Sequence, residues 1–240
     1  NNTLIGYQAG DVLTDGSRNT ALGISALGSE TSGVSNTAIG ASALTTSNGG
    51  SYNTAVGDQA GVLLTTGDNN QFMGYHAGYA NTSGSNNIAI GYQAYDVADT
   101  ETNNLAIGNA ALGGSVAGGE YNIAIGNNTL DGLSSGDKNT VVGWSAGTSL
   151  TEANNSVLIG YEAGKNITTQ NNNVCIGYQA GIGIVQTNNT LIGVSAAISA
   201  TGAAENTGVG ASVLIHLTDG TDNVAMGESA ASNLTTGDYN

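Results

Sequence analysis

The chain has 240 residues, with 38 Gly, no Pro, one Cys and 9% charged residues. Average proteins carry ~7% Gly and ~25% charged residues, so the composition excludes an ordinary mixed globular domain, while 39% hydrophobic residues excludes a disordered linker. The net charge of −15, with Arg18, Lys138 and Lys165 as the only basic residues, supplies no cationic footprint for nucleic acid or for an anionic membrane surface.

Along the chain one glycine returns as a marker: Gly6, Gly23, Gly40, Gly57, Gly74, Gly91, Gly108, Gly126, Gly143, Gly160, Gly177, Gly193, Gly210 and Gly227. Every step is 17 residues except one of 18 (Gly108 to Gly126) and one of 16 (Gly177 to Gly193). Such a period is the signature of a repeat architecture. The consensus N-T-A-I-G-x-x-A-G/L-x-x-L-T-x-G-x-x is too short for a pair of helices, and its apolar spacing does not follow the helical period. It predicts a first short strand at N-T-A-I-G, a second near A-x-x-x-L-T, and turns between them. A second glycine, seven residues before the marker (Gly16, Gly33, Gly50, Gly67, Gly84, Gly119, Gly136, Gly220), is expected to supply a positive φ.

The predicted fold is all-β, a parallel β-solenoid of about fourteen coils of 17 residues forming one array over residues 1–240. With like residues stacked roughly 4.8 Å apart, the rod would be on the order of 65–70 Å long. A single coil buries only enough apolar surface for roughly 3–5 kcal/mol, far below the entropy of ordering it, so neighbouring coils must supply the stability. Both ends fall within a repeat without a capping coil, which predicts an excerpt of a longer array. Cys175 stands alone and no apolar run reaches the length of a membrane span.

Three files of residues follow from the register. Four residues before the marker sits an Asn in 13 of 14 copies: Asn2, Asn19, Asn36, Asn53, Asn70, Asn87, Asn104, Asn122, Asn139, Asn173, Asn189, Asn206 and Asn223, with Ser156 as the exception. An amide both donates and accepts, so this file is expected to hydrogen-bond from coil to coil. The residue before the marker is aliphatic in every copy and is expected to face the interior. The residue two before it (Leu4, Ala21, Ala38, Ala55, Phe72, Ala89, Ala106, Ala124, Val141, Leu158, Cys175, Leu191, Gly208, Ala225) would then face outward as an apolar stripe needing a partner.

Tyr7, Tyr75, Tyr92, Trp144, Tyr161 and Tyr178 follow the marker and form a candidate glycan-contact column. Asn-x-Ser/Thr sequons beginning at Asn1, Asn81, Asn127, Asn154, Asn166, Asn188 and Asn233 are candidate glycosylation sites. Gly143-Trp144-Ser145-Ala146-Gly147 matches a nucleophile-elbow pattern, but the same positions read Gly6-Tyr7-Gln8-Ala9-Gly10 in another coil, so the Ser is a variable repeat position. No catalytic, metal or cofactor set is read from the sequence. His76, His216 and Cys175 occupy different repeat positions, and the acidic residues form no calcium-binding file.

The N-T-A-I-G-x-x-A pattern, as in Asn36-Thr37-Ala38-Ile39-Gly40 and Asn122-Ile123-Ala124-Ile125-Gly126, resembles the head repeat of trimeric autotransporter adhesins (YadA-like) and the related repeats of bacteriophage tail fibres. The resemblance spans the chain, though the family's coils are usually shorter. It implies a left-handed parallel β-roll and three chains about a common axis. The function expected is a structural segment of an extracellular fibre, shaft or adhesin stalk on a cell surface or virion, associating with itself as a trimer or a filament. The alternatives are a module that binds surface glycans and an ice-binding solenoid built on Thr14, Thr31, Thr65, Thr82, Thr151, Thr168, Thr201, Thr218 and Thr235.

Overall fold

The computed structural model describes residues 1–114 and 119–240. The chain divides into two compact units, Asn1–Tyr121 and Asn122–Asn240. In the first, seven three-residue strands (Thr3–Ile5, Thr20–Leu22, Thr37–Ile39, Thr54–Val56, Gln71–Met73, Ile88–Ile90, Leu105–Ile107) pair in parallel, each with the next. In the second, Ile123–Ile125, Thr140–Val142, Val157–Ile159, Val174–Ile176, Thr190–Ile192, Thr207–Val209 and Val224–Met226 do the same. Each unit is a parallel β-solenoid with like residues in register, for example Thr20 beside Thr37, Ala21 beside Ala38 and Leu22 beside Ile39. The described residues contain no helix. The 16-residue step leaves the strands in register, with Val174 beside Thr190. It is absorbed between Ile184 and Gln186, since Asn173 Nδ2 reaches the carbonyl of Gln186, 13 residues on, where Asn36 reaches Gly50, 14 on.

Among the described residues the expected second strand is absent. After the marker the chain runs through overlapping turns: the carbonyls of Gly23, Ser25 and Leu27 accept from the amides of Ala26, Gly28 and Glu30 at 3.4, 3.1 and 3.3 Å. Alternate residues are left-handed, Ser25 at φ 55° and Leu27 at φ 52°. The N–H groups of these two residues serve opposite neighbours. Ser25 N donates to the Tyr7 carbonyl of the preceding coil at 2.9 Å, and Leu27 N to the Ala43 carbonyl of the following one at 3.1 Å. A left-handed L-residue costs roughly 1–2 kcal/mol, and the bonds between coils offset it. Sequence reasoning missed this because an alternating-handed segment and a strand share a period of two.

The glycines also exchange roles. Gly16, Gly33, Gly50, Gly67, Gly84, Gly136 and Gly220 do not have positive φ. The marker glycines do, between 119° and 145°. That region is open essentially to Gly alone. A Cβ on Gly23 or Gly40 would also run into the glycine carbonyl of the next coil. Conformation and close approach together make the marker obligatory.

The interior is the reverse of the expected one. Ala21, Ala38, Ala55, Phe72, Ala89, Ala106, Ala124, Val141, Leu158, Cys175 and Leu191 are buried, and every aliphatic residue directly before the marker is half-buried or exposed. From Asn19 on, the Asn file, two residues earlier on the same face of the strand, is buried with them, as the alternation of a strand requires. The core is completed from the turns by Ala26, Leu27, Ala43, Leu44, Leu64 and their equivalents. Volumes compensate within most coils, and where Ala55 meets Gly61 the space is reached by Phe72 and Leu44 of the flanking coils. Where the strand supplies Ala38, the turn supplies Leu44; where it supplies Phe72 or Leu158, the turn has Gly78 or Gly164, and a Cβ there would lie 2.5 Å from Phe72 and 2.7 Å from Leu158. Close packing in so thin a layer leaves room for one large side chain, not two.

Candidate functional site

Strand register positions three files of side chains whose chemistry can be read directly. The first is the Asn ladder. The Oδ1 of Asn19 accepts the backbone N–H of Asn36 at 2.8 Å, and Asn36 Oδ1 that of Asn53 at 2.9 Å. Their Nδ2 groups donate to the carbonyls of Gly33 and Gly50 at 2.8 and 2.7 Å. Each amide thus joins the strand of one coil to the strand and the turn of its neighbour. Amide-to-amide bonds are secondary, as from Asn70 to Asn53 and from Asn139 to Asn122, each 3.1 Å. Where Ser156 replaces Asn, its Oγ takes over as acceptor for Asn173 N at 3.3 Å. Every one of these groups is buried, so the ladder satisfies polar backbone that water cannot reach.

The second file is the outward aliphatic one: Ile5, Leu22, Ile39, Val56, Met73, Ile90 and Ile107 in the first unit, and Ile125, Val142, Ile159, Ile176, Ile192, Val209 and Met226 in the second. Beside it on the same face runs the residue two before, which is apolar at Ile88, Leu105, Ile123, Val157 and Val174. An apolar strip results on each unit. The strip expected at the Ala positions is replaced by one built from larger side chains. Sequence reasoning had one available signal for this, the reciprocal sizes of strand and turn residues, which only a shared interior explains.

The third file holds the aromatics. Trp144 and Tyr161 stack at 5.1 Å and 9°, Tyr161 and Tyr178 at 5.2 Å and 8°, and Tyr75 and Tyr92 at 5.3 Å and 16°. Tyr7 stands exposed outside both stacks. Rings in this arrangement turn their faces to one another and their edges to solvent, so the faces a sugar would stack on are largely taken. Beside the Tyr161 ring, Lys165 Nζ donates to Glu162 Oε1 at 2.7 Å and Gln179 Nε2 to Glu162 Oε2 at 2.8 Å. These bonds, the one from Lys165 first, hold the Glu162 carboxyl below its usual range.

The remaining sequence candidates disperse. Of the sequons, Asn1, Asn127, Asn166, Asn188 and Asn233 are exposed and Asn154 half-buried, its amide donating to the Glu152 carbonyl at 3.0 Å. Asn81 is fully buried, so a glycan cannot be attached there in the folded chain; its side-chain oxygen and nitrogen have no hydrogen-bond partner. Ser145 is buried, while His76 stacks on Tyr75 at 3.9 Å and pairs with Gln59 at 2.7 Å. Thr14, Thr65, Thr151 and Thr218 donate their hydroxyls to carbonyls of the next coil at 3.2, 2.7, 3.2 and 2.9 Å, which occupies the donors an ice-facing array would offer to water. Among the described residues no group of three or more His, Cys, Asp or Glu is placed to hold a metal.

Sequence reasoning also missed buried polar residues at the position held by Leu64, Leu133 and Leu150. Glu30, Ser47 and Asn81 occupy it in the first unit. Each sits where the consensus Leu lapses, which was the visible signal. The Glu30 carboxylate is fully buried, with Oε1 accepting from the amides of Ser32, Gly33 and Gly49 at 3.1, 2.6 and 2.8 Å and Oε2 from Ser47 Oγ at 2.7 Å. Tyr95 fills the equivalent space above Ala98, its hydroxyl bonded to the Glu101 carbonyl at 3.2 Å and to Asn104 Nδ2 at 3.0 Å. Burial raises the Tyr95 phenol above its usual range.

Fold and files together define a repeat solenoid whose ordered polar chemistry is turned inward, to hold coils together. No family model, curated protein or solved structure matches the chain.

Proposed function

We propose that the chain is a structural repeat segment of an extracellular fibre, a shaft or adhesin stalk on a cell surface or virion, and that copies associate through the outward aliphatic file, three about a common axis. The observation that carries this reading is the file itself, unbroken from Ile5 to Met226 in the sequence and never buried within the chain. The seven aliphatic residues held on one side of each unit's strands form a larger apolar strip than a lone soluble chain ordinarily exposes. A closed cyclic assembly would cover the strip on every copy at once, whereas an open arrangement would propagate. The trimer rests further on the resemblance to adhesin head repeats. The acidic surface, with a net charge of −15, favours solubility and resists side-by-side sticking elsewhere.

Light scattering tests the proposal. The isolated chain should give three times 23.7 kDa. Placing Glu at Ile90 and Ile107 should yield a folded monomer, because like charges would then meet around the axis. A parent chain that is monomeric, soluble and rich in β circular dichroism would overturn it.

A further inference from the structure

Asn48-Gly49 is the only Asn-Gly pair in the sequence, and it lies against the buried Glu30. The Gly49 backbone N–H donates to Glu30 Oε1 at 2.8 Å, and the Thr31 hydroxyl donates to Asn48 Oδ1 at 2.6 Å. Asn48 and Gly49 themselves are exposed, so water has access to both.

These contacts bear on the two atoms that must react if the asparagine cyclises. The nucleophile is the Gly49 nitrogen, which becomes reactive only on losing its proton, and a carboxylate is already bonded to that proton. The electrophile is the Asn48 side-chain carbonyl carbon, and the Thr31 hydroxyl is bonded to the oxygen on which negative charge develops. Glycine leaves the nitrogen unhindered by a side chain, and Gly49 adopts a left-handed φ of 99°.

We propose that Asn48 is a self-modification site, deamidated through a cyclic imide with Glu30 as general base and Thr31 as oxyanion donor. The Gly49 N–H proton passes to the Glu30 carboxylate as the nitrogen bonds to Asn48 Cγ. The Cγ–Nδ2 bond then breaks, and ammonia departs with the proton returned by Glu30. Water opens the imide at one carbonyl or the other, leaving aspartate or its β-linked isomer. One water is consumed, one ammonia is released and nothing is oxidised. The product carries a new carboxylate within the environment of Glu30. The β-linked form also adds a backbone methylene to a coil whose register the neighbouring coils fix, so the site acts as a built-in timer for local loosening.

The test is peptide mass spectrometry of the full chain incubated at neutral pH, following the replacement of NH by O at Asn48. The same chain held unfolded in denaturant is the reference. The folded chain should react faster than the unfolded one. Glu30→Gln should slow the folded reaction about a hundredfold, the lower end of what a positioned base supplies. Thr31→Val should slow it roughly tenfold, less than a buried oxyanion donor would because this site is wet. Since Glu30→Gln could disturb the coil, Thr31→Val, on the surface, is the independent arm. Folded-state deamidation no faster than in denaturant, or no slowing in Thr31→Val, would overturn the proposal.

Discussion

Ala89 and Ile90 are consecutive residues of one strand, yet the smaller side chain is fully buried and the larger one faces out. The two files they represent differ in another way. The inner one varies from Gly208 to Phe72, while the outer one is always Ile, Leu, Val or Met. The difference teaches that uniformity along a repeat does not mark the interior. Inside a coil, a large residue from the strand can be exchanged for a large residue from the turn, so identity drifts while volume is kept. The outer strip has no such partner within its own coil, so its side chains stay aliphatic in every copy.

The comparison breaks first at charge. Ala89→Asp places a carboxylate in a layer with no cation to pair with, an effect of several kcal/mol that should abolish cooperative folding of the first unit. Ile90→Asp should leave circular dichroism and the melting temperature of the unassociated chain nearly unchanged. A reversed order of damage would restore the opposite orientation of the strands.

A second probe sharpens the volume argument in the second unit. Leu158→Ala should cost about 2–4 kcal/mol through the cavity it leaves, and Gly164→Leu about 2–5 kcal/mol, by overpacking against Leu158 and by placing an L-residue at φ 57°. The double variant recreates the Ala38 and Leu44 arrangement of another coil, and denaturant unfolding should show most of both packing losses recovered, leaving the left-handed cost of about 1–2 kcal/mol. Strict additivity would mean that the two side chains do not share one space.

The smallest effect concerns the ladder. Asn53→Ala removes an acceptor from Asn70 N and a donor from the Gly67 carbonyl, for a cost of about 1–3 kcal/mol. Asn166→Ala, at an exposed position, should lie within about 0.5 kcal/mol of the parent by thermal unfolding. Equal costs would remove the ladder from the account of stability.

Much of this was legible in the sequence, for identifiable reasons. The 17-residue register fixes parallel stacking because a glycine at φ near 140° tolerates no substitute, so the marker is visible in every coil. The Asn file was legible for a similar reason, since few side chains can accept one bond and donate another across two coils. Orientation was not, because Ala89 and Ile90 are both apolar and a pattern of polarity cannot choose between them. The turns read as a strand because the left-handed positions seen at Ser25 and Leu27 hold ordinary L-residues there; the one mark in residue type is the glycine that replaces Leu27 in other coils, as at Gly61 and Gly78. The proximity of Glu30, Thr31, Asn48 and Gly49 depends on which turn atoms face the adjoining coil, and that followed only from the structure.

The orientation of the inner file is the claim on which the rest depends, and the single cysteine reports on it. Cys175 is an inner-file residue, fully buried, and burial pushes its thiol up to about 12. The measurement is thiol labelling of the native chain at mildly alkaline pH, with the denatured chain as the reference for full reaction. The account predicts no labelling of the native chain over a period in which the denatured chain reacts completely. Stoichiometric labelling of native, folded chain would place Cys175 on the outer face and contradict it.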